Sequence, residues 1–204
     1  QPLDLRLLPI ANIASEKDAI KQAIAQLIRY LQDCQQRVCP SCDTFQLIDA
    51  DILLLEDESL LKDMQQHVEQ YRVGAAVAVE RIFNEQALAI AGIDDPYLAN
   101  RSQDILLLAK RLITTLQGKS QHDLSNLTEN TILLADDLTP ADFAMLPLKF
   151  IKGIVLESGG LTSHTAILAR SAGIPTLLNC PWSSQDGHID DGASLILDAI
   201  EGVL

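Results

Sequence analysis

The stretch GGLTSHTAILARSAGIP, residues 159–175, places His164 just inside a helix entered through two glycines and two hydroxyl residues. Gly159 and Gly160 accept backbone angles closed to other residues, so the chain can leave a preceding strand and turn at once into a helix. Thr162 or Ser163 is then the N-cap. His164 falls in the first turn, where backbone N–H groups lack intrahelical acceptors and the helix dipole is positive. An imidazole there can attack a phosphoryl group and release it again near neutral pH. Gly160, Thr162, Ser163 and Thr165 are the candidate phosphate-binding positions, with Ser158 as a further donor beside them. Arg170, nearly two turns on, is the candidate cation if its side chain folds back. Gly173 ends the helix and Pro175 prevents its resumption. A lone histidine at a helix start is more often a cap or a solvated residue. The surrounding glycines and hydroxyls are what favour covalent phosphohistidine chemistry.

A second cluster is cysteine. Of four cysteines, Cys34, Cys39 and Cys42 lie close together, the last two as CPSC, and Cys180 is remote. A structural zinc normally needs four ligands, so Cys180 or His67 would have to be recruited from far away in sequence. A thioredoxin-type pair should follow a strand and open a helix. This one follows a long helical pattern, ASEKDAIKQAIAQLIRYLQDC, so reduced cysteines at a helix–helix corner are the expectation and no metal site is assigned.

The elements that must carry these residues are of two kinds. From about Ser15 to Gly118 apolar residues recur at three and four, as in Ala19, Ile20, Ile24, Leu27, Ile28 and Leu31, and again from Ile105 to Leu116. VGAAVAVERIFNEQALAIAG has the same spacing and stops at Gly92, and DDPYLANRSQ puts Pro96 in the first turn of the last helix. Four or so helices with short connections predict an antiparallel bundle. After Gly118 the pattern changes to short apolar runs: TILLA, GIVLE, PTLLN and ASLILD read as strands, with PADFAMLP and SHTAILARSA as helices between them. Leu5–Ile10 is assigned to the same α/β unit. The predicted organisation is therefore residues 1–13 as its first segment, 14–118 as an inserted all-α subdomain, and 119–204 as the rest.

The 204 residues are 48% hydrophobic, enough for a core. No run approaches ~18 uninterrupted apolar residues, and the N-terminus lacks signal-peptide character. No membrane role is expected, and a cytoplasmic location is. The opening without Met, inside an apolar alternation, suggests a chain that begins partway through a longer polypeptide. A net charge of −13 with scattered cations argues against nucleic acid and fits a basic protein partner, beside the plainer reading that surplus acid serves solubility.

Residues 159–175 resemble the phosphohistidine signature of the swivelling domain in phosphoenolpyruvate-utilising enzymes. Thr165, directly after the histidine, is similar to Enzyme I of the bacterial sugar phosphotransferase system. LLLEDESL at 53–60, DDPYLANRSQDILLLAKRL at 94–112 and ILLADDLTPAD at 132–142 resemble the N-terminal half of Enzyme I. The fold implied is an α/β swivelling phosphohistidine domain with an inserted helical-bundle subdomain that docks the histidine phosphocarrier HPr. The resemblance implies that His164 is phosphorylated, that Thr139 hydrogen-bonds the resting imidazole, and that Arg170 reaches the phosphoryl group. It also implies that Asp51, Leu53, Leu54 and Glu58 present an apolar and acidic face to the carrier.

Three departures matter. Leu161 stands where Enzyme I usually has arginine, the family's glycine-rich opening strand is not visible at the N-terminus, and Leu204 ends the sequence without the barrel that binds phosphoenolpyruvate and magnesium. The isolated domain is thus expected to need no cofactor and not to use phosphoenolpyruvate itself. Two readings remain within the phosphotransferase system. One is the truncated Enzyme I-like domain of the dihydroxyacetone kinase phosphoryl-donor subunit, which sits behind carrier-like and EIIA-like domains and feeds the kinase subunits. The other is an N-terminal piece of Enzyme I; Leu161, the CPSC turn, the clipped start and the stop at Leu204 favour the first. A docking scaffold whose histidine no longer reacts is the alternative from another class.

Overall fold

A computed structural model describes residues 12–92, 96–118, 126–160, 163–182 and 189–204, with backbone alone for 96–100. The chain divides into two compact units, Gln1–His122 and Asp123–Leu204. The expected first α/β segment falls almost wholly on residues outside the described set; of it, Asn12 is the N-cap position and Ile13 the first residue of a helix.

The described part of the first unit is helical: α1 (Ile13–Gln35), α2 (Asp43–Leu55), α3 (Glu58–Tyr71), α4 (Ala75–Ala91) and α5 (Pro96–Leu116). The spacing of three and four does what it predicts in α1, which buries Ile20, Ala23, Ile24, Leu27, Leu31 and Cys34 along one stripe. Helix α3 turns Leu60, Met64 and Val68 inward, and α4 contributes Val79, Ile82 and Phe83. Five helices stand where about four are expected, because the chain breaks at Glu56–Asp57. Asp57 takes an extended conformation and its carboxylate accepts from Ser59 N at 2.8 Å, starting α3 afresh. The same bonds hold the Asp57 carboxyl below its ordinary range, the Ser59 hydroxyl contributing most and the Ser59 amide next. Between α3 and α4, the Glu16 carboxylate of α1 accepts from Ala75 N at 2.7 Å and so caps α4 from another helix.

The second unit alternates β1 (Thr131–Ala135), α6 (Pro140–Met145), β2 (Ile151–Leu156), α7 (His164–Ser171) and β3 (Thr176–Leu177). The strands form a parallel sheet in the order β1-β2-β3, with Leu134 opposite Val155 and Val155 opposite Leu177. Parallel neighbours need a crossover, and α6 and α7 supply it. Central β2 is buried along nearly its whole length, as a continuous apolar run requires. Its Ile154 and Leu156 join Leu138, Phe143, Leu146, Leu168, Ala169 and Ile174 in the core.

One expected strand is not seen among the described residues. ASLILD, residues 193–198, has no sheet partner among them, and its Asp198 makes an isolated antiparallel bridge to Val203. The carboxylate of Asp198 also accepts from Ile200 N and Glu201 N, so the chain folds back on itself. Alternation survives without the ladder: Ile196 is 86% exposed, while Leu197 lies against Gly153 of β2, closely enough that an added Cβ would meet it at 3.0 Å.

Candidate functional site

His164 is the first residue of α7, and both ends of this short helix are fixed by its own neighbourhood. Gly159, at φ 112°, makes the turn out of β2 that a side chain would oppose. Ser163 N then donates to Gly160 O at 2.9 Å. Of the two expected caps, the structure uses Ser163, whose hydroxyl accepts from Ala166 N at 3.3 Å. Thr162 and Leu161 lie outside the described residues. At the other end Gly173 N donates to Arg170 O and Ile174 N to Ala169 O, a Schellman closure with Gly173 at φ 68°. Leu168 and Ala169 anchor the helix in the core, and His164 itself is half-buried.

The loop after β1 meets the start of α7. The buried Thr165 hydroxyl donates to Leu138 O. Asp137 accepts from Leu138 N at 2.8 Å through one carboxylate oxygen and from the Ser158 hydroxyl at 3.4 Å through the other. The Ser158 hydroxyl also reaches Asp136 O at 2.9 Å. The loop after β1 and the end of β2 are thereby tied to one another. The hydroxyls of Ser158 and Thr165 are engaged with protein acceptors, and what α7 offers an anion is the array of amides common to helix starts.

Thr139, expected beside the imidazole, caps α6. Its hydroxyl donates to Asp142 Oδ2 at 2.7 Å and accepts from Asp142 N at 3.2 Å, while Thr139 N donates to the same carboxylate at 2.9 Å. With its hydrogen given to Asp142, Thr139 can meet an imidazole only as an acceptor from a ring N–H. Sequence reading passed over Asp142, although Thr-Pro-Ala-Asp is a capping-box pattern with proline at the first helical position. Asp137 was also passed over; its role depends on the loop geometry and has no sequence signature.

Arg170 is exposed in the last turn of α7. Six residues at ~1.5 Å rise place it ~9 Å along the axis from His164, and the helical repeat turns it ~120° away. Its guanidinium reaches toward the imidazole only by folding back along the helix.

The expected docking residues sit in the first unit, where α2 ends and α3 begins. Leu53 is 62% exposed, Leu54 and Asp51 are half-buried, and Glu58 is exposed in the first turn of α3. Their solvent-facing members combine an uncovered leucine with carboxylates from Glu56, Asp57 and Glu58.

This pairing of a helical bundle with a parallel α/β unit that starts a helix on histidine has relatives. Residues 2–101 match the N-terminal domain of PEP-utilising enzymes and residues 127–202 match their mobile domain. The chain belongs to the PEP-utilising enzymes, carrying these two of their domains. Within that family it is similar to the phosphoenolpyruvate–protein phosphotransferase of Haemophilus influenzae, at 36% identity over 76% of this chain and 26% of that protein. The corresponding protein of Mycoplasma capricolum is 30% identical over 99% of this chain and 35% of its own length. Among solved structures, an NMR solution structure of Enzyme I matches with a TM-score of 0.79 at 25% identity, over 99% of this chain and 82% of that one. The helical bundle with a small parallel sheet is thus the Enzyme I N-terminal architecture. The chain spans about a quarter to a third of the length of the curated relatives it matches. Among the described residues, no helix is long and apolar enough to cross a membrane.

Proposed function

We propose that this chain is a phosphoryl relay domain of the phosphotransferase type, which takes a phosphoryl group onto His164 from the phosphohistidine of HPr or an HPr-like domain and returns it. The observation that supports this most is the position of His164 at the first residue of α7, held by the Ser163 cap and the glycine turn, in a chain whose relatives are phosphoenolpyruvate–protein phosphotransferases. A ring nitrogen of His164 bonds phosphorus as the donor's P–N bond breaks, and the donor imidazole leaves neutral. No net proton moves. The amides at the start of α7, with Gly160 and Ser163, are assigned to stabilise the added charge, Thr162 being assigned the same role from the sequence and Arg170 being the folding-back cation. Thr139 holds the ring orientation by accepting from its N–H.

Exchange between two imidazoles needs positioning and charge stabilisation, and these side chains supply both, so the transfer is proposed to run without a metal and to survive chelator. Phosphoenolpyruvate and its magnesium belong to a barrel outside these two domains. Carrier docking is assigned to Asp51, Leu53, Leu54 and Glu58, the carboxylates facing a basic carrier surface. Residues 1–11 alone are proposed as the first segment of the α/β domain, since Asn12 and Ile13 begin α1. The eventual acceptor proposed is dihydroxyacetone, through an EIIA-like domain and kinase subunits; the alternative, an N-terminal piece of Enzyme I in the sugar phosphotransferase system, fits the relatives equally well. Only Leu161 and the CPSC turn tilt the reading toward the first.

The test is incubation with phosphorylated HPr. An acid-labile, alkali-stable phosphoryl group on the intact protein, lost in His164→Ala and retained in chelator, is expected. No incorporation into a folded wild-type chain would replace the relay by a docking scaffold.

A further inference from the structure

We propose that Cys39 and Cys42 form a dithiol site that reacts with low-molecular-weight disulfides and closes to an intramolecular disulfide across the turn between α1 and α2. The phosphoryl reading leaves this motif unused, and the site stands or falls independently of it.

The geometry is that of a closed turn. Cys42 N donates to Cys39 O at 3.0 Å, so Cys39-Pro40-Ser41-Cys42 is a β-turn with proline in its favoured second position. Such a turn brings its end Cα atoms within ~7 Å, and a disulfide spans Cα separations of about 4.4–6.8 Å. Bridging therefore needs side-chain rotation and little backbone movement. The thiols differ in station. Cys39 is exposed, its sulfur 3.1 Å from the Ser41 hydroxyl, whereas Cys42 is half-buried and is the N-cap of α2, its sulfur accepting from Phe45 N at 3.4 Å. The Ser41 hydroxyl, aided by its backbone amide, holds the Cys39 thiol below its usual range. Cys39 is thus the accessible nucleophile and Cys42 the thiol held one turn away to resolve it. Cys34 is fully buried in α1, and Cys180 belongs to the other unit, so neither competes within the turn.

The reaction balances in two steps. Cys39 thiolate attacks one sulfur of the external disulfide, forming a mixed disulfide and releasing one thiolate. Cys42, its proton passing to solvent, attacks the Cys39 sulfur and releases the second. One external disulfide is reduced to two thiols as the protein dithiol is oxidised to one disulfide.

The experiment uses the whole chain and oxidised glutathione. Cleavage after Arg37 and Lys62 yields one peptide, residues 38–62, that contains Cys39 and Cys42 and no other cysteine. The expected product is this peptide lighter by two hydrogens and restored by dithiothreitol, formed roughly tenfold or more faster than any modification of Cys34. Cys42→Ser keeps a good N-cap residue and is expected to trap a Cys39–glutathione mixed disulfide; Cys39→Ser is expected to leave position 42 largely unmodified. A wild-type peptide that stays fully reduced, or that accumulates glutathione adducts without losing the two hydrogens, overturns the proposal.

Discussion

Replacing Thr165 by valine keeps the shape of the side chain and deletes one hydroxyl, and the outcome separates two roles for this residue. The structure gives that hydroxyl to Leu138 O, in a buried contact that ties α7 to the loop after β1. Removing the donor leaves a buried carbonyl short of a partner, which costs about 1–3 kcal/mol. The second unit should bear this loss. Trp182, the only tryptophan in the chain, lies in that unit and donates its indole N–H to Ala135 O at the end of β1, so its fluorescence reports the unit selectively. With an m-value of ~1–2 kcal/mol/M for a small unit, a loss near 2 kcal/mol moves the urea midpoint down by about 1–2 M. Thr165→Ser, which restores the donor, should recover most of it. Phosphoryl uptake by the folded fraction of Thr165→Val should fall modestly, through displacement of His164. An unchanged urea midpoint together with uptake reduced a hundredfold would refute this reasoning, showing that the hydroxyl serves the phosphoryl group directly.

Other perturbations test separate links. Ser163→Ala removes the N-cap of α7 and should cost about 1 kcal/mol in the same Trp182-monitored unfolding. Met64→Ala opens a cavity in the fully buried core of the bundle and should cost ~2–5 kcal/mol, read as loss of helical circular dichroism in urea. The Glu69 carboxyl is held below its ordinary range by the hydrogen bond from Lys17 and then by that cation's charge. Its stabilising effect is therefore complete above the unfolded value near ~4.3 and disappears as pH falls through the depressed folded value. The stability gap between wild type and Lys17→Met should accordingly be widest near neutrality and close in acid. Leu53→Arg sets a cation on the exposed apolar position of α2 and should weaken HPr binding by calorimetry about tenfold or more, at unchanged bundle stability.

The parts of the fold written in local periodicity were the legible ones. Helix α1 declares its buried stripe, and Pro96 and Gly92 mark boundaries that the structure keeps. The runs TILLA, GIVLE and PTLLN became β1, β2 and β3 because each is short, apolar and bounded by turn residues. ASLILD has the same look, yet it has no ladder among the described residues, and the chain turns back at its last residue, Asp198. The break between α2 and α3 hides for a related reason: LLLEDESL continues the helical spacing, and only the Asp57 cap interrupts it. At the site, the glycine turn, the Ser163 cap and the Gly173 stop could be read from residue type. The Thr165 and Ser158 hydroxyls could not, since each bonds acceptors set by the loop after β1, whereas the Thr139 bond to Asp142 is legible in the Thr-Pro-Ala-Asp pattern. Composition shows that a hydroxyl is present; where its hydrogen points belongs to the tertiary structure.

The Schellman closure at Gly173 and the serine cap at Ser163 lie only ten residues apart, and each draws its partners from that same short span. Helix α7 therefore carries its own start and stop instructions, almost independently of what surrounds it. Such a segment can be inherited as a cassette: the sheet beneath it and the bundle before it are free to drift in sequence, provided the cassette keeps its glycines, its cap and its apolar underside. Divergence between distant members of the family should then concentrate outside residues 159–175 and the loop after β1 that receives the Thr165 hydroxyl.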